Sequence, residues 1–194
     1  MVLAPSTSRG VATRRRILDA AVGEFAEHGI AGARVERIVQ RARTNKAQLY
    51  GYFGSKDGLF DEVFAESVQQ LTEVVPFDAG DLAGWAVGLY DDYLVRPEMV
   101  RLATWARLER RPAGHLVDDP DHQDAPKLAA LAAAQGAGLV RAGEPAALLS
   151  MVIAMSLAWS PVSPMYAAYP EEPESEHARR RELLRDCVRA AVAP

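Results

Sequence analysis

Residues 34–60 read Arg-Val-Glu-Arg-Ile-Val-Gln-Arg-Ala-Arg-Thr-Asn-Lys-Ala-Gln-Leu-Tyr-Gly-Tyr-Phe-Gly-Ser-Lys-Asp-Gly-Leu-Phe. Val35, Ile38, Val39 and Ala42 recur at i, i+3, i+4 and i+7, which puts one apolar stripe on a two-turn helix. Arg43-Thr44 breaks that pattern, and Asn45 is placed to cap the helix that follows. The next helix buries Leu49 and Phe53 at i, i+4, so Lys46, Gln48 and Tyr50 are expected to face outward. Helices this short cannot stand alone in water. Their outer side carries cations, an amide and a phenol, the groups that suit phosphates and base edges. The segment reads as a helix-turn-helix whose second helix enters a DNA major groove.

This stretch resembles the TetR family of one-component bacterial repressors. The resemblance lies in Leu49-Tyr50-Gly51-Tyr52-Phe53 followed by Gly54-Ser55-Lys56-Asp57-Gly58-Leu59, and in a preceding helix from Arg14 to His28 that ends at Gly29. It covers about residues 13 to 64; beyond them only length and helical pattern agree. Three positions depart from the family. Arg43 stands where Gly is usual in the turn, and a left-handed non-Gly residue costs about 1 kcal/mol. Arg34 replaces a common Thr, and Gly51 occupies a slot often filled by a bulky DNA-contacting side chain. The resemblance therefore carries over the docking mode but not a base preference.

Asn45, Lys46, Gln48 and Tyr50 form the expected groove-facing set. Gln48 suits a bidentate contact to adenine, and Lys46 suits guanine or a phosphate. Lys56, behind a Ser55 cap, adds charge to a helix N-terminus that already favours phosphate. Arg34 and Thr44 are expected to touch the DNA backbone.

Charge is unevenly distributed. The chain has 22 Lys and Arg against 26 Asp and Glu, a net charge of −4. Residues 1–60 balance at +5 and residues 61–194 at −9. A basic N-terminal third on an acidic body fits a polyanion-binding head. The bland account, in which Arg14-Arg15-Arg16 and Arg34, Arg37 and Arg41 only solvate helix faces, is outweighed once the motif is added. Length allows one compact domain or two small ones. The single Cys187 excludes an internal disulfide and fits a reducing cytosol. Val2-Leu3-Ala4 is too short for a leader core. The most apolar run, 146–159, is shorter than the ~20 residues that span a bilayer. A cytoplasmic protein without a membrane segment is expected.

The remaining chain reads as all-α. Residues 1–12 are expected to be a flexible arm, 13–54 the DNA-binding domain with Thr13 as N-cap, and 55–194 a helical ligand-binding and dimerisation domain entered through helix four. Further helices are expected over about 80–95, 97–110, 123–135, 145–159 and 174–192, with breaks at Pro97, Pro112, 136–138, Pro145 and 161–173. The cationic run Arg14–Arg16 would oppose the dipole at the start of helix one unless phosphates lie nearby.

Aromatic and Met residues concentrate in the body. At helical spacing each is more simply core than pocket. Together they allow a mostly apolar cavity with a few hydrogen-bonding tips, and the family resemblance implies an inducer there. Trp85, Tyr93, Trp105, Met155 and Trp159 are the expected ligand-binding residues, and the ligand is expected to be uncharged or weakly cationic and amphipathic. The His115–Asp124 loop, with Asp118, Asp119, Asp121 and His122, could ligate a divalent metal. It lacks the Gly and Glu of an EF-hand, and a solvated acidic connector is the favoured reading. No cofactor is expected. Catalysis has little support, because no nucleophile elbow, phosphate-cradling Gly loop or His/Cys metal cluster occurs.

Helices 145–159 and 174–192 are expected to form a homodimer interface. The first is apolar nearly all round, and the second offers Leu183, Leu184, Cys187, Val188 and Ala191 as a stripe. The chain thus reads as a homodimeric, ligand-responsive repressor of a palindromic operator. The alternative is a helical small-molecule binding protein whose DNA-binding head has degenerated, with Arg43 and Gly51 as its arguments.

Overall fold

The computed structural model describes residues 8–114, 116 and 120–194, and those residues form helices without strands. In chain order they are α1 (Ser8–Gly32), α2 (Val35–Arg41), α3 (Lys46–Phe53), α4 (Lys56–Val74), α5 (Leu82–Val95), α6 (Glu98–Glu109), α7 (Pro120–Gly136), α8 (Pro145–Ser156) and α9 (Glu174–Val192). The all-α expectation holds. Among the described residues no helix is long and apolar enough to cross a membrane.

Packing divides the chain into two units. The first holds the residues up to Gln70 together with Arg101–Gly114, and the second holds Leu71–Val100 with His115–Pro194. The expected boundary at residue 55 therefore falls inside the first unit, and most of α4 and α6 packs with the head.

In the first unit α1 begins at Ser8, five residues before the expected cap at Thr13. Thr13 lies inside the helix, buried, and its hydroxyl donates to the Arg9 carbonyl at 2.9 Å. A Thr that bonds back one turn satisfies itself within a helix and need not cap one. Arg14–Arg16 are then no longer at a helix start, and the dipole conflict disappears. Gly29 adopts φ 73° and breaks the helix near its expected end. A Cβ there would sit 2.9 Å from the Trp105 ring, so glycine is required by both backbone and neighbour. Ile17, Phe25, Ile38, Leu49, Leu59, Phe60 and Val63 fill the core, with Phe25 and Phe60 edge to face at 5.3 Å.

In the second unit α5 is central. Leu82, Trp85, Ala86, Val87, Leu89, Tyr90 and Tyr93 are all buried, so the helix is covered on most sides, by α8 and α9 among others. Asp81 caps it, accepting from the Gly84 N–H at 2.8 Å. Glu144 caps α8 from Ala146 and Ala147 with Pro145 at the first helical position. That helix ends at Ser156, three residues short of the expected 159. The loop beyond folds back, with the Ala168 N–H on the Trp159 carbonyl at 2.9 Å.

A helix-turn-helix surface as candidate nucleic-acid interface

The turn between α2 and α3 fixes the surface. Arg43 takes the left-handed conformation, φ 52°, that glycine would adopt more cheaply, so the substitution is tolerated without loss of the turn. The Thr44 N–H reaches the Val39 carbonyl at 3.0 Å. Asn45 caps α3, its side chain accepting from the Gln48 N–H at 2.9 Å, a contact worth about 1 kcal/mol. Leu49 and Phe53 are buried, and Gly54 closes the helix at φ 73°.

With the inner face anchored, Asn45, Lys46, Gln48 and Tyr50 are exposed on the outer one. Thr44 is half-buried and donates its hydroxyl to the Gln48 carboxamide oxygen, which occupies that amide's acceptor and not its N–H₂ donors. Lys46 pairs with Glu36 of α2, and this hydrogen bond raises the ammonium's pKa and lowers that of Glu36. Arg34 is exposed beside them. Gly51 has nothing within 4 Å of where a Cβ would lie, so α3 carries one bare spot.

Arg34 heads α2 without a side-chain cap. Glu24, only 1% exposed, supplies what is missing from a distance. It accepts from the Arg34 N–H at 2.8 Å and from the Arg37 guanidinium at 2.5–3.0 Å. Burial alone would raise this carboxyl's pKa, but Arg37 and the Arg34 N–H outweigh it and hold it below the ordinary value. Sequence reasoning missed Glu24. Its one signal was an acid on the otherwise apolar face of α1, between Ala21 and Phe25.

Lys56, expected to face DNA, and the Arg14–Arg16 run, left open between phosphates and solvent, are engaged within the fold. Lys56 is half-buried and donates to the Ala31 carbonyl at 3.1 Å and the Ala33 carbonyl at 3.2 Å. It ties α4 to the end of α1, where an exposed phosphate ligand was expected. Arg14 pairs with Glu62 at 2.6 Å and lies over the Phe53 ring. Arg15 pairs with Asp19 and Glu66. Arg16 donates to the Ala42 carbonyl at 3.0 Å, closing the end of α2. The triple arginine joins helices, which neither the phosphate nor the simple solvation reading foresaw.

The expected ligand residues separate. Trp85, Tyr93, Met155 and Trp159 belong to the core cluster of the second unit. The Tyr93 hydroxyl, bonded to Ser156, has its pKa pushed up to about 12 by burial. Trp159 stands edge to face on Tyr90 at 5.9 Å. Trp105 does not join them. It lies in the first unit, with its indole N–H on the Ala26 carbonyl at 3.2 Å. Helical periodicity put it on an aromatic face but could not say which unit that face served. In the His115–Asp124 segment, His115, Asp118 and Asp119 lie outside the described residues, as do the side chains of Asp121 and His122. Asp124 pairs with Lys127 at 2.9 Å, and among the described residues no group of three His, Cys, Asp or Glu could hold a metal ion.

Comparison with known proteins agrees with this geometry. Residues 17–63 match the model of the bacterial regulatory proteins of the tetR family. Residues 81–190 match the tetracyclin repressor-like C-terminal domain. The HTH-type transcriptional repressor SCO4008 of Streptomyces coelicolor is 40% identical over 156 residues, 79% of this chain and 80% of its own length. The crystal structure of the protein SCO4942, also from Streptomyces coelicolor and described as a transcriptional regulator, superposes with a TM-score of 0.75. It is 36% identical, and the match covers 93% of this chain and 98% of that one. The structure of AibR in complex with isovaleryl coenzyme A and operator DNA shares the fold, with a TM-score of 0.66 at 14% identity over 91% and 97% of the two chains. From the capped recognition helix to the C-terminal body, the chain belongs to the TetR family and is a helix-turn-helix, DNA-binding transcriptional regulator rather than an enzyme.

Proposed function

We propose that the protein is a homodimeric transcriptional repressor that acts in the cytoplasm, binds a palindromic operator and releases it when a small amphipathic effector enters the helical body. The observation that carries DNA reading is the outer face of α3, where Gln48, Lys46, Asn45 and Tyr50 are exposed while Leu49 and Phe53 lock the helix from behind. Gln48 then reads a base edge, and Arg34 and Thr44 approach the backbone. Lys56 supports the surface by fixing α4 against α1. The ordered left-handed Arg43 removes one argument for a degenerate head. One recognition helix spans too few base pairs to be selective, so two copies are needed, spaced by a whole number of duplex turns.

The dimer reading rests on the outer faces of α8 and α9. Met151 and Leu183 are more than half exposed, and Cys187 and Ala190 are exposed near Leu183. Leu184, Val188 and Val152, expected at the interface, are buried within the chain's own core. Charge at those positions would unfold the body, whereas Met151→Glu with Leu183→Glu tests association. Footprinting on DNA upstream of the protein's own gene should show a protected inverted repeat. The double variant should sediment as a folded monomer and lose that footprint. A single unpaired half-site at saturating protein would overturn the reading.

An effector that prefers one arrangement of the body can shift operator affinity only by its differential affinity for the two states, typically about 1–3 kcal/mol.

A further inference from the structure

Gln48 is the third residue of α3, the position from which a glutamine side chain can turn back toward the start of its helix. Its backbone N–H is taken by the Asn45 cap at 2.9 Å, which fixes the first turn. Its side chain is exposed, and its carboxamide oxygen accepts the Thr44 hydroxyl. Thr44 is half-buried and held in turn by its backbone N–H on the Val39 carbonyl at 3.0 Å. The oxygen is thus drawn toward the turn. The free end of the amide is its N–H₂ group, which carries two donors and no acceptor.

This polarity changes what the side chain can read. Adenine shows the major groove an acceptor, N7, beside a donor, the N6 amino group, and a glutamine matches it with one N–H and its oxygen. Guanine shows two acceptors, N7 and O6. To meet adenine fully, Gln48 would have to give up the Thr44 hydroxyl, which would then lose its partner at the interface. To meet guanine it keeps that bond and gives one hydrogen to each acceptor. A neighbouring pair favours the same choice. Lys46, the other side chain of α3 suited to guanine, is held by Glu36 of α2. That leaves the amide as the donor free to take a base edge.

We infer that Thr44 sets the polarity of Gln48, so that each half-site of the operator carries a guanine under α3 in place of the adenine that an unconstrained glutamine would favour. Thr44 is then a positioning residue for base choice, whatever else it contacts on the DNA backbone. The inference rests on the docking of α3 proposed above.

Selection of duplexes from a randomised pool by the full chain tests it, with affinities read by fluorescence anisotropy. The base pair governed by Gln48 is the one whose preference vanishes in Gln48→Ala. The parent should select G·C there and lose about tenfold in affinity when that pair becomes A·T. It should also lose several-fold when the guanine is replaced by 7-deazaguanine, which lacks the N7 acceptor. Thr44→Val frees the oxygen and should shrink the guanine preference roughly threefold or more, while Thr44→Ser keeps the hydroxyl and should retain it. The readout is the ratio of the two affinities, because a lost backbone contact would weaken both duplexes alike. An A·T pair selected by the parent, full tolerance of 7-deazaguanine, or an unchanged ratio in Thr44→Val would overturn the inference. The first two outcomes use the parent alone, so they decide even if Thr44→Val fails to fold. If no base pair depends on Gln48, the reading role of α3 falls and this inference with it. An A·T pair that does depend on Gln48 removes the inference and leaves the repressor reading standing.

Discussion

The two units treat their buried polar groups differently. In the first, Glu24 is met by three donors and the buried Thr13 hydroxyl donates to the Arg9 carbonyl. In the second, Asp92 Oδ2, His177 Nε2 and Arg180 Nη1 are buried without partners, and these are the three such side-chain atoms among the described residues. Saturated networks specify one geometry, whereas half-met ones leave an interior open to rearrangement or to a guest. Under the proposed repressor reading, a head that fits a duplex gains from the first condition, and a body that answers an effector gains from the second.

The sharpest way to break this contrast is Arg37→Ala. It strands the buried Glu24 carboxylate and should destabilise the first unit by about 3 kcal/mol in urea unfolding. Glu24→Gln should cost less, because Arg37 is partly exposed and can be solvated. The same carboxyl sets a pH window. Its folded pKa is depressed, so its contribution is fully present above the ordinary carboxylate value near 4.5 and is lost as pH falls through the lower, folded one. Acid titration of Glu24→Gln should therefore be flatter below about pH 4.5. A loss under about 1 kcal/mol for Arg37→Ala would mean the head is not held as described.

Gln48→Ala should cost about 2 kcal/mol at one base pair of the operator and leave the melting temperature unchanged, as read by anisotropy on single-base operator variants. In the body, His177→Leu removes an imidazole whose Nδ1 bonds the Tyr90 hydroxyl at 2.7 Å but whose Nε2 bonds nothing. The expected loss is about 1 kcal/mol, well below the head's response. The smallest effect is a gain. Gly51→Ala meets open space in mid-helix and should stabilise α3 by about 0.5–1 kcal/mol. If the α3 backbone approaches DNA closely at that spot, the same variant will bind the operator more weakly, which a binding isotherm would show.

Local rules served the sequence well wherever a contact spans a few residues. The Asn45 cap, the left-handed position of Arg43, the break at Gly29 and the helices α5, α6, α8 and α9 follow from periodicity and turn chemistry. What escaped depends on partners far along the chain. Lys56 looks like a phosphate ligand until Ala31 and Ala33 are found under it. Leu183 and Leu184 are adjacent on one apparent stripe, yet the first is exposed and the second is core. Periodicity gives a face but not what covers it. Trp105 and Glu24 were misread or missed for the same reason.

The recognition helix separates two duties along eight residues. Leu49, Phe53 and the Asn45 cap hold it in place, while Ala47, Gln48 and Gly51 take no part in the core. Under the proposed reading, substitutions at those three positions change what α3 presents to DNA without disturbing the residues that hold the helix in place. Gly51 is the least committed of them, because a Cβ there meets nothing within 4 Å.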